Sequence, residues 1–394
     1  MPADLDLILR HADKVVPEPE LAEKLALGRP LRVKLGLDPT APAVTLGWAV
    51  VLRKLRQFQE LGHTAVLIVG DFTAQVGDPS EKGAQRKRLS SDEVNAYAEN
   101  VLGQFGKVLL PDRLEIRRNS EWLASLDMYG LLELTSSATV AQMLERSDFA
   151  NRYETGSPIS VMEFLYPLLQ GYDSVAVEAD VELGGSDQLW NLMMGRVVQE
   201  RYEQEPQVAL TMPLLVGTDG SQKMSQSLGN YIGVEESPGD MFGKTMSIPD
   251  QAMGEWFRLA ADYDEEAVAR VEDALQAGET HPGDAKRQLA RAVVHLYHGE
   301  SAAAEAEEAF DRVFKDRGVP DDITSHQLGG ESMVNVPALI REVFDISGAE
   351  ARRLISQGAV KLDGSSIDAQ ELPRAELAGR VLKVGKRRFT RLLD

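Results

Sequence analysis

The sequence predicts an α/β fold built on a parallel sheet, followed by a helical segment and a small unit at the end of the chain. Three observations carry this. Two short apolar runs, residues 31–37 and 65–70, flank a stretch of helical period within about forty residues, the strand–helix–strand pattern of a βαβ unit. From Glu235 to about Val319, charged and alanine-rich residues recur with helical spacing. Residues 334–394 read as a compact unit with a charge of its own.

The elements follow in order. Residues 1–30 read as a helical lead-in with Leu5, Ile8 and Leu9 on one face. The run 31–37 is apolar and partly β-branched, and Gly36-Leu37-Asp38-Pro39-Thr40 stops it. A helix is expected from Gly47 to Leu61, with Val50, Val51, Leu55 and Phe58 near helical period and Gly62 as its terminator. Residues 65–70 form a continuous apolar run of the kind buried in parallel sheets. Another run, 175–181, leads into Gly184-Gly185-Ser186-Asp187-Gln188 and a helix through Val198; 208–216 is a further one. Asp219-Gly220 marks a turn. Residues 318–322 and Gly329-Gly330 read as a linker.

The chain has 394 residues, 43% hydrophobic and 26% charged, which suits two or three soluble domains and excludes disordered, collagenous and disulfide-scaffold classes. It has no cysteine, so disulfides, thiolate zinc sites and cysteine nucleophiles are excluded. Residues 1–10 carry Asp4, Asp6 and Arg10 without an apolar core and do not read as a signal peptide. The apolar run 65–69 is too short to span a membrane. The net charge of −20 argues against wrapping a polyanion, but it is unevenly spread. Residues 334–394 hold 11 Lys and Arg against 8 Asp and Glu, so the tail is +3 and the remainder −23. Arg352, Arg353, Lys361, Lys386, Arg387 and Arg388 are its candidate RNA contacts; a solvated charged face is the equal alternative.

Five loops have site chemistry. In the first, Asp38-Pro39-Thr40 through Thr45-Leu46-Gly47-Trp48 opens a helix, whose free first-turn N–H groups favour phosphate and whose Gly47 allows close approach. In the second, Gly77-Asp78 leads to Lys82 and Arg86 just past a strand, where open α/β sheets place ligands. Third, Tyr166, Gln170 and Asp173 are spaced four and three apart, hence on one helix face, a polar stripe suited to an ammonium or a phenol. The fourth is Gly184 to Gln188, whose glycines admit a ribose and whose Asp187 would accept from its hydroxyls. The fifth, Lys223-Met224-Ser225-Gln226-Ser227, could clamp a polyphosphate. Each alone is also an ordinary polar loop; their order and spacing are not ordinary.

The set resembles the tyrosyl-tRNA synthetases of class I, in the bacterial branch with the longer-spaced first domain, over nearly the whole chain. The resemblance implies a Rossmann-like, doubly wound parallel-sheet catalytic domain at 1–232 with a connective insertion. A helical anticodon-side domain would follow at 233–325, a linker at 326–335 and an S-four type α+β RNA-binding domain at 336–394. It implies ATP-dependent activation of tyrosine and transfer to tRNA(Tyr), a homodimer, a cytoplasmic setting without membrane, and magnesium brought with ATP rather than held by a protein metal site. By position, Gly36, Thr73, Asp78, Asn119, Tyr166, Gln170 and Asp173 would surround tyrosine. Asp38, Gly47, Gly185, Asp187, Gln188, Lys223, Met224 and Ser225 would face ATP. Thr40, Thr45, Trp48, Lys82, Arg86, Lys223 and Gln226 would act on the reacting phosphates.

Two signatures depart from the family. Its His-Ile-Gly-His stands here as Thr45-Leu46-Gly47-Trp48, and its Lys-Met-Ser-Lys-Ser as Lys223-Met224-Ser225-Gln226-Ser227. Losing one phosphate-directed donor typically costs ~10²–10³ in rate, and losses within one site need not add. Two readings follow: a working ligase in which Thr45 substitutes a donor and Trp48 stacks on adenine, or a paralogue with impaired or lost ligase activity that retains tyrosine or RNA binding for a regulatory or other acceptor role.

Overall fold

A computed structural model describes residues 2–78, 90–314, 323–385 and 388–394 of the chain. It forms two compact units, 1–299 and 300–394. In the first, α1 (Pro2–Leu9), β1 (Lys14–Val16) and α2 (Glu18–Leu25) precede β2 (Arg32–Leu37), α3 (Leu46–Glu60) and β3 (Thr64–Val69). Next come α4 (Thr73–Val76), α5 (Ser91–Phe105), β4 (Leu114–Arg118) and α6 (Ser120–Leu123). Three short helices, α7 (Met128–Thr135), α8 (Val140–Met143) and α9 (Ser147–Glu154), form an insertion before α10 (Val161–Ala176). Then β5 (Val181–Gly185), α11 (Leu189–Arg201) and β6 (Val208–Met212) complete the α/β part.

The sheet runs β1-β6-β5-β2-β3-β4. Its five main strands are parallel, and β1 joins β6 antiparallel. From β2 the chain winds outward through β3 and β4, then returns to add β5 and β6 on the other side. The direction therefore reverses between β2 and β5, which is where such sheets open a crevice at their carboxyl ends. Val33, Val66, Ile68, Val181, Leu183 and Leu210 are buried in the strands, each contributing ~1.5–3 kcal/mol of burial.

The expected βαβ unit is β2–α3–β3, with Gly62 at φ 93° after the helix, a left-handed position glycine fills without strain. Some boundaries shift. The lead-in 1–30 contains β1 as well as two helices, because residues 14–16 find β6 as a partner far along the chain. The apolar run 175–181 begins as the end of α10, and its strand starts only at Val181. The run 208–216 is strand only to Met212.

Helices α12 (Pro238–Met246), α13 (Met253–Leu259) and α14 (Glu265–Gln276) follow, and residues 233–299 belong to the same compact unit as the sheet. Helical turns of α15 (Pro282–Phe314) are broken at Gly299, with φ 85°, where one unit gives way to the other. Residues 318–322 of the expected linker lie outside the described residues. In the second unit β7 (Thr324–Gln327) pairs parallel with a strand at the chain's end, Arg388–Leu393, and Met333–Asn335 pairs with Glu371–Pro373. The stretch 326–335 read as a linker is thus partly sheet: its ladder partners lie some sixty and forty residues on, beyond the reach of local pattern. Arg352 and Arg353 lie on the helix Gly348–Ser356, capped by Ser347.

Candidate active site

A cavity of about 550 Å³ opens at the carboxyl ends of β2, β3 and β5, within the size range of small-molecule sites. Of the residues expected around it, Gly36, Asp38, Thr40, Thr45, Gly47, Trp48, Thr73, Asp78, Tyr166, Gln170, Asp173, Gly185, Asp187, Gln188, Lys223, Met224, Ser225 and Gln226 line it. Lys82 and Arg86 lie outside the described residues.

One wall is acidic. Asp38, at the end of β2, accepts a hydrogen bond from Thr73 Oγ1 at 2.7 Å and from Tyr166 Oη at 3.0 Å. Burial pushes its carboxyl up to about 7; the hydrogen bonds oppose this, and the charges of Asp78 and Asp173 add to it. Asp173 is buried on α10 and accepts from Trp122 Nε1 at 2.8 Å and Asn119 Nδ2 at 3.2 Å. Burial raises it to about 6. The Tyr166 phenol is held well above its usual range by the same burial and by Asp38, so it stays a neutral donor. Tyr166, Gln170 and Asp173 share one face of α10 as their spacing predicts. Asp78 accepts from Gln188 Nε2 at 2.9 Å and pairs with Arg146 at 3.4 Å. Gly36 carries nothing within 4 Å of where a Cβ would stand, so its missing side chain leaves open cavity.

Asn119 is placed differently from expectation. It is fully buried behind the wall, donating to Thr73 Oγ1 and Asp173 and accepting from the Phe72 N–H. It orients the lining residues rather than touching the cavity.

The other wall is looped and carries Lys223. Gly185 is tightly packed, since a Cβ there would come within 2.8 Å of Asp187 Oδ1 and of Leu214. Asp187 is paired with Lys223 at 3.0 Å. The expectation of free N–H groups at the start of α3 is not met. Leu46 N–H goes to Ile232 O, Gly47 N–H to Met224 Sδ at 3.3 Å, and Trp48 N–H to Thr45 Oγ1 at 3.3 Å. Thr45 is thus a helix cap, and Trp48 stands partly exposed at the cavity rim. Gln226 bonds the backbone of Ala43 in both directions.

Three residues escaped the sequence reading. Lys34 and Glu182 are fully buried, 2.8 Å apart, in register on adjacent strands behind Gln170. A charge set between apolar neighbours, Lys34 between Val33 and Leu35 and Glu182 between Val181 and Leu183, was their only signal. Arg146 is buried between Asp78, Asp148 and Asn191 and lies over the rings of Phe149 and Trp190; nothing in its neighbourhood of the sequence announces that role.

In the second unit Arg352, Arg353 and Arg388 are exposed and Lys361 is half-buried; Lys386 and Arg387 lie outside the described residues. Among the described residues no three His, Asp or Glu side chains cluster as a metal site, and no helix is long and apolar enough to cross a membrane.

Comparison with known proteins gives one consistent result. The family description "tRNA synthetases class I (W and Y)" matches residues 26–315. The tyrosine–tRNA ligase of Moorella thermoacetica is 50% identical over 98% of this chain and 95% of its own length. That of Carboxydothermus hydrogenoformans is 47% identical over 100% and 99%. Among solved structures, the tyrosyl-tRNA synthetase of Aeropyrum pernix superposes with a TM-score of 0.63 at 23% identity, covering 80% of this chain and 98% of that one. The synthetase of Archaeoglobus fulgidus complexed with L-tyrosine gives 0.63 at 24%, covering 77% and 99%.

Proposed function

The chain belongs to the tRNA synthetases of class I, in the family of the tryptophan and tyrosine enzymes, and we propose that it is a tyrosine–tRNA ligase. The observation that carries the substrate is the acidic wall: Tyr166, Gln170 and Asp173 on one helix face, with Asp38 and Asp78 beside them. Carboxylates and a neutral phenol recognise an ammonium group, and Asp173 with its Trp122 and Asn119 partners suits a phenolic hydroxyl.

In the first step a carboxylate oxygen of tyrosine attacks the α-phosphorus of ATP. The bond to the bridging oxygen breaks and pyrophosphate leaves. In the second a hydroxyl of the tRNA's terminal ribose attacks the tyrosyl carbonyl and AMP leaves. No group on the enzyme needs to become covalently attached, so catalysis rests on positioning and charge. Asp187 and Gln188 serve the ribose, Thr40 the departing pyrophosphate, and Lys82, Arg86 and Lys223 the charge at phosphorus. Magnesium accompanies the phosphates of ATP. The exposed Arg352, Arg353 and Arg388, with Lys361, Lys386 and Arg387, contact tRNA phosphates. The setting is the cytosol, where tRNA is charged. Incubation with tRNA(Tyr), ATP and labelled tyrosine should give acid-precipitable tyrosyl-tRNA; label retained only as free tyrosine speaks for the impaired paralogue.

A pH dependence follows from the acidic wall. An incoming ammonium needs an ionised Asp38 and the phenolic hydroxyl donates best to an ionised Asp173, and these two hold protons up to about 7 and about 6. Lowering the pH from 8 to 5.5 protonates both before binding, so tyrosine affinity should fall, by roughly tenfold per pH unit for each proton that binding must displace. Titration calorimetry across that range checks this; an affinity that stays flat contradicts the assignment of these two carboxylates.

We also propose a homodimer. Met128, Tyr129, Leu132, Val140, Tyr153 and Val161 on α7–α10 are between 59% and 83% exposed, a concentration of large apolar side chains that marks an interaction surface. Light scattering should give twice the chain mass of 43.3 kDa. Leu132→Glu should give monomer; a wild-type monomer at micromolar concentration contradicts the proposal.

A further inference from the structure

The loop 219–230 has a rigid base and a fastened tip. At the base, Asp219 accepts from the N–H groups of Ser221 and Gln222 and from Asn230 Nδ2. Asn230 in turn takes the Ser225 N–H and donates to the Lys223 carbonyl. Gly217 leaves no room for a Cβ beside Asn230. The loop is therefore stitched to itself and moves, when it moves, as one flap.

Three contacts fasten its tip across the cavity. Lys223 Nζ is 3.0 Å from Asp187 Oδ2. Met224 covers Gly47, its Cβ 3.4 Å from where a glycine Cβ would stand and its sulfur accepting the Gly47 N–H. Gln226 gives Nε2–H to the Ala43 carbonyl at 2.7 Å and takes the Ala43 N–H on Oε1 at 3.2 Å. The third contact is the specific one. A primary amide has a donor and an acceptor side by side and can pair with both backbone groups of one residue; a lysine, with donors only, cannot.

We propose that Gln226 is a positioning residue that latches this flap shut, with Met224 as the plug, so that ATP engages Lys223 and the first turn of α3 only after the tip has lifted. The proposal rests on ATP being a substrate. Closure takes up three groups that face the nucleotide side: the Lys223 ammonium, the Asp187 carboxylate and the Gly47 N–H. A binding-competent state that must first be opened lowers apparent affinity by the fraction open. Each backbone hydrogen bond of the latch contributes a modest net stabilisation, so the latch as a whole should weaken ATP binding roughly threefold to tenfold.

Gln226→Met tests this in the full chain, because methionine keeps length and neutrality and removes both hydrogen bonds. Two readouts are needed: amide hydrogen exchange of the peptide holding Ala43, and calorimetric affinities for ATP and for tyrosine separately. The expected result is faster exchange at Ala43, ATP binding tightened roughly threefold to tenfold, and tyrosine affinity unchanged. Unchanged exchange at Ala43 overturns the latch. Faster exchange with ATP affinity equal or weaker overturns its role as a gate. If neither wild type nor variant binds ATP while both bind tyrosine, the proposal falls together with the ligase reading, and absent pyrophosphate exchange in the wild type identifies that case.

Discussion

Replacing Lys34 by alanine should destabilise the first unit by about 3–5 kcal/mol, the usual cost of leaving one partner of a buried ion pair uncompensated. Lys34 Nζ has three partners for its three protons: Glu182 at 2.8 Å, Ser174 Oγ at 2.8 Å and the Gln170 carbonyl at 2.9 Å. Glu182 also accepts from Gln170 Nε2, Ser174 Oγ and Gln207 Nε2. Without Lys34 the carboxylate stays in the sheet with neutral donors only. The double replacement Lys34→Met with Glu182→Leu removes both charges and should recover most of the loss. Because Gln170 lines the cavity on the far side of this pair, the single variant should also raise KM for tyrosine. Urea unfolding followed by tryptophan fluorescence measures the stability; a cost under about 1 kcal/mol for Lys34→Ala would show that the pair is compensated by neighbours.

Lys223→Ala should leave stability nearly unchanged and lower kcat for adenylate formation by ~10²–10³. Its ion pair with Asp187 is half-exposed on the lysine side, and such pairs contribute little to folding. Its ammonium instead lines the cavity, on the side proposed to hold the reacting phosphate. KM for tyrosine should hold within about twofold, since the interaction is made with the transition state and not with the amino acid. Pre-steady-state formation of adenylate, with the unfolding curve as control, separates these effects. A kcat within about threefold of wild type removes Lys223 from the chemistry.

Much of this site was legible because its residues sit at ends of local patterns. Asp38 follows an apolar run, Gly185 to Gln188 follow another, and the interval from Tyr166 to Asp173 is a helix face whatever the rest of the chain does. What was hidden depends on long-range register. Lys34 and Glu182 meet only because β2 and β5 become neighbours. The strand β1 exists only because β6 is available to it. Asn119 reads as a substrate contact by position, yet its two donors and its acceptor are all taken within the wall. The start of α3 reads as a phosphate site, yet its N–H groups are occupied by Thr45, Ile232 and Met224, the last 177 residues away in sequence.

The replaced signatures acquire structural roles on this account. Thr45 caps α3, and Gln226 ties a loop to Ala43. Neither supplies the charge that a histidine or lysine would bring. On the proposed reading, rate at the phosphate rests on Lys223 with Lys82 and Arg86. Restoring histidine at 45 and 48 together with lysine at 226 should raise the rate while removing the latch.

The cavity is proposed to join tyrosine to ATP despite those replacements. Tyrosine-dependent exchange of labelled pyrophosphate into ATP measures that step without tRNA and without the second unit's participation. Exchange should saturate with tyrosine and be lost in Lys223→Ala. Folded wild-type protein that shows no exchange above blank at saturating tyrosine, ATP and magnesium would contradict it.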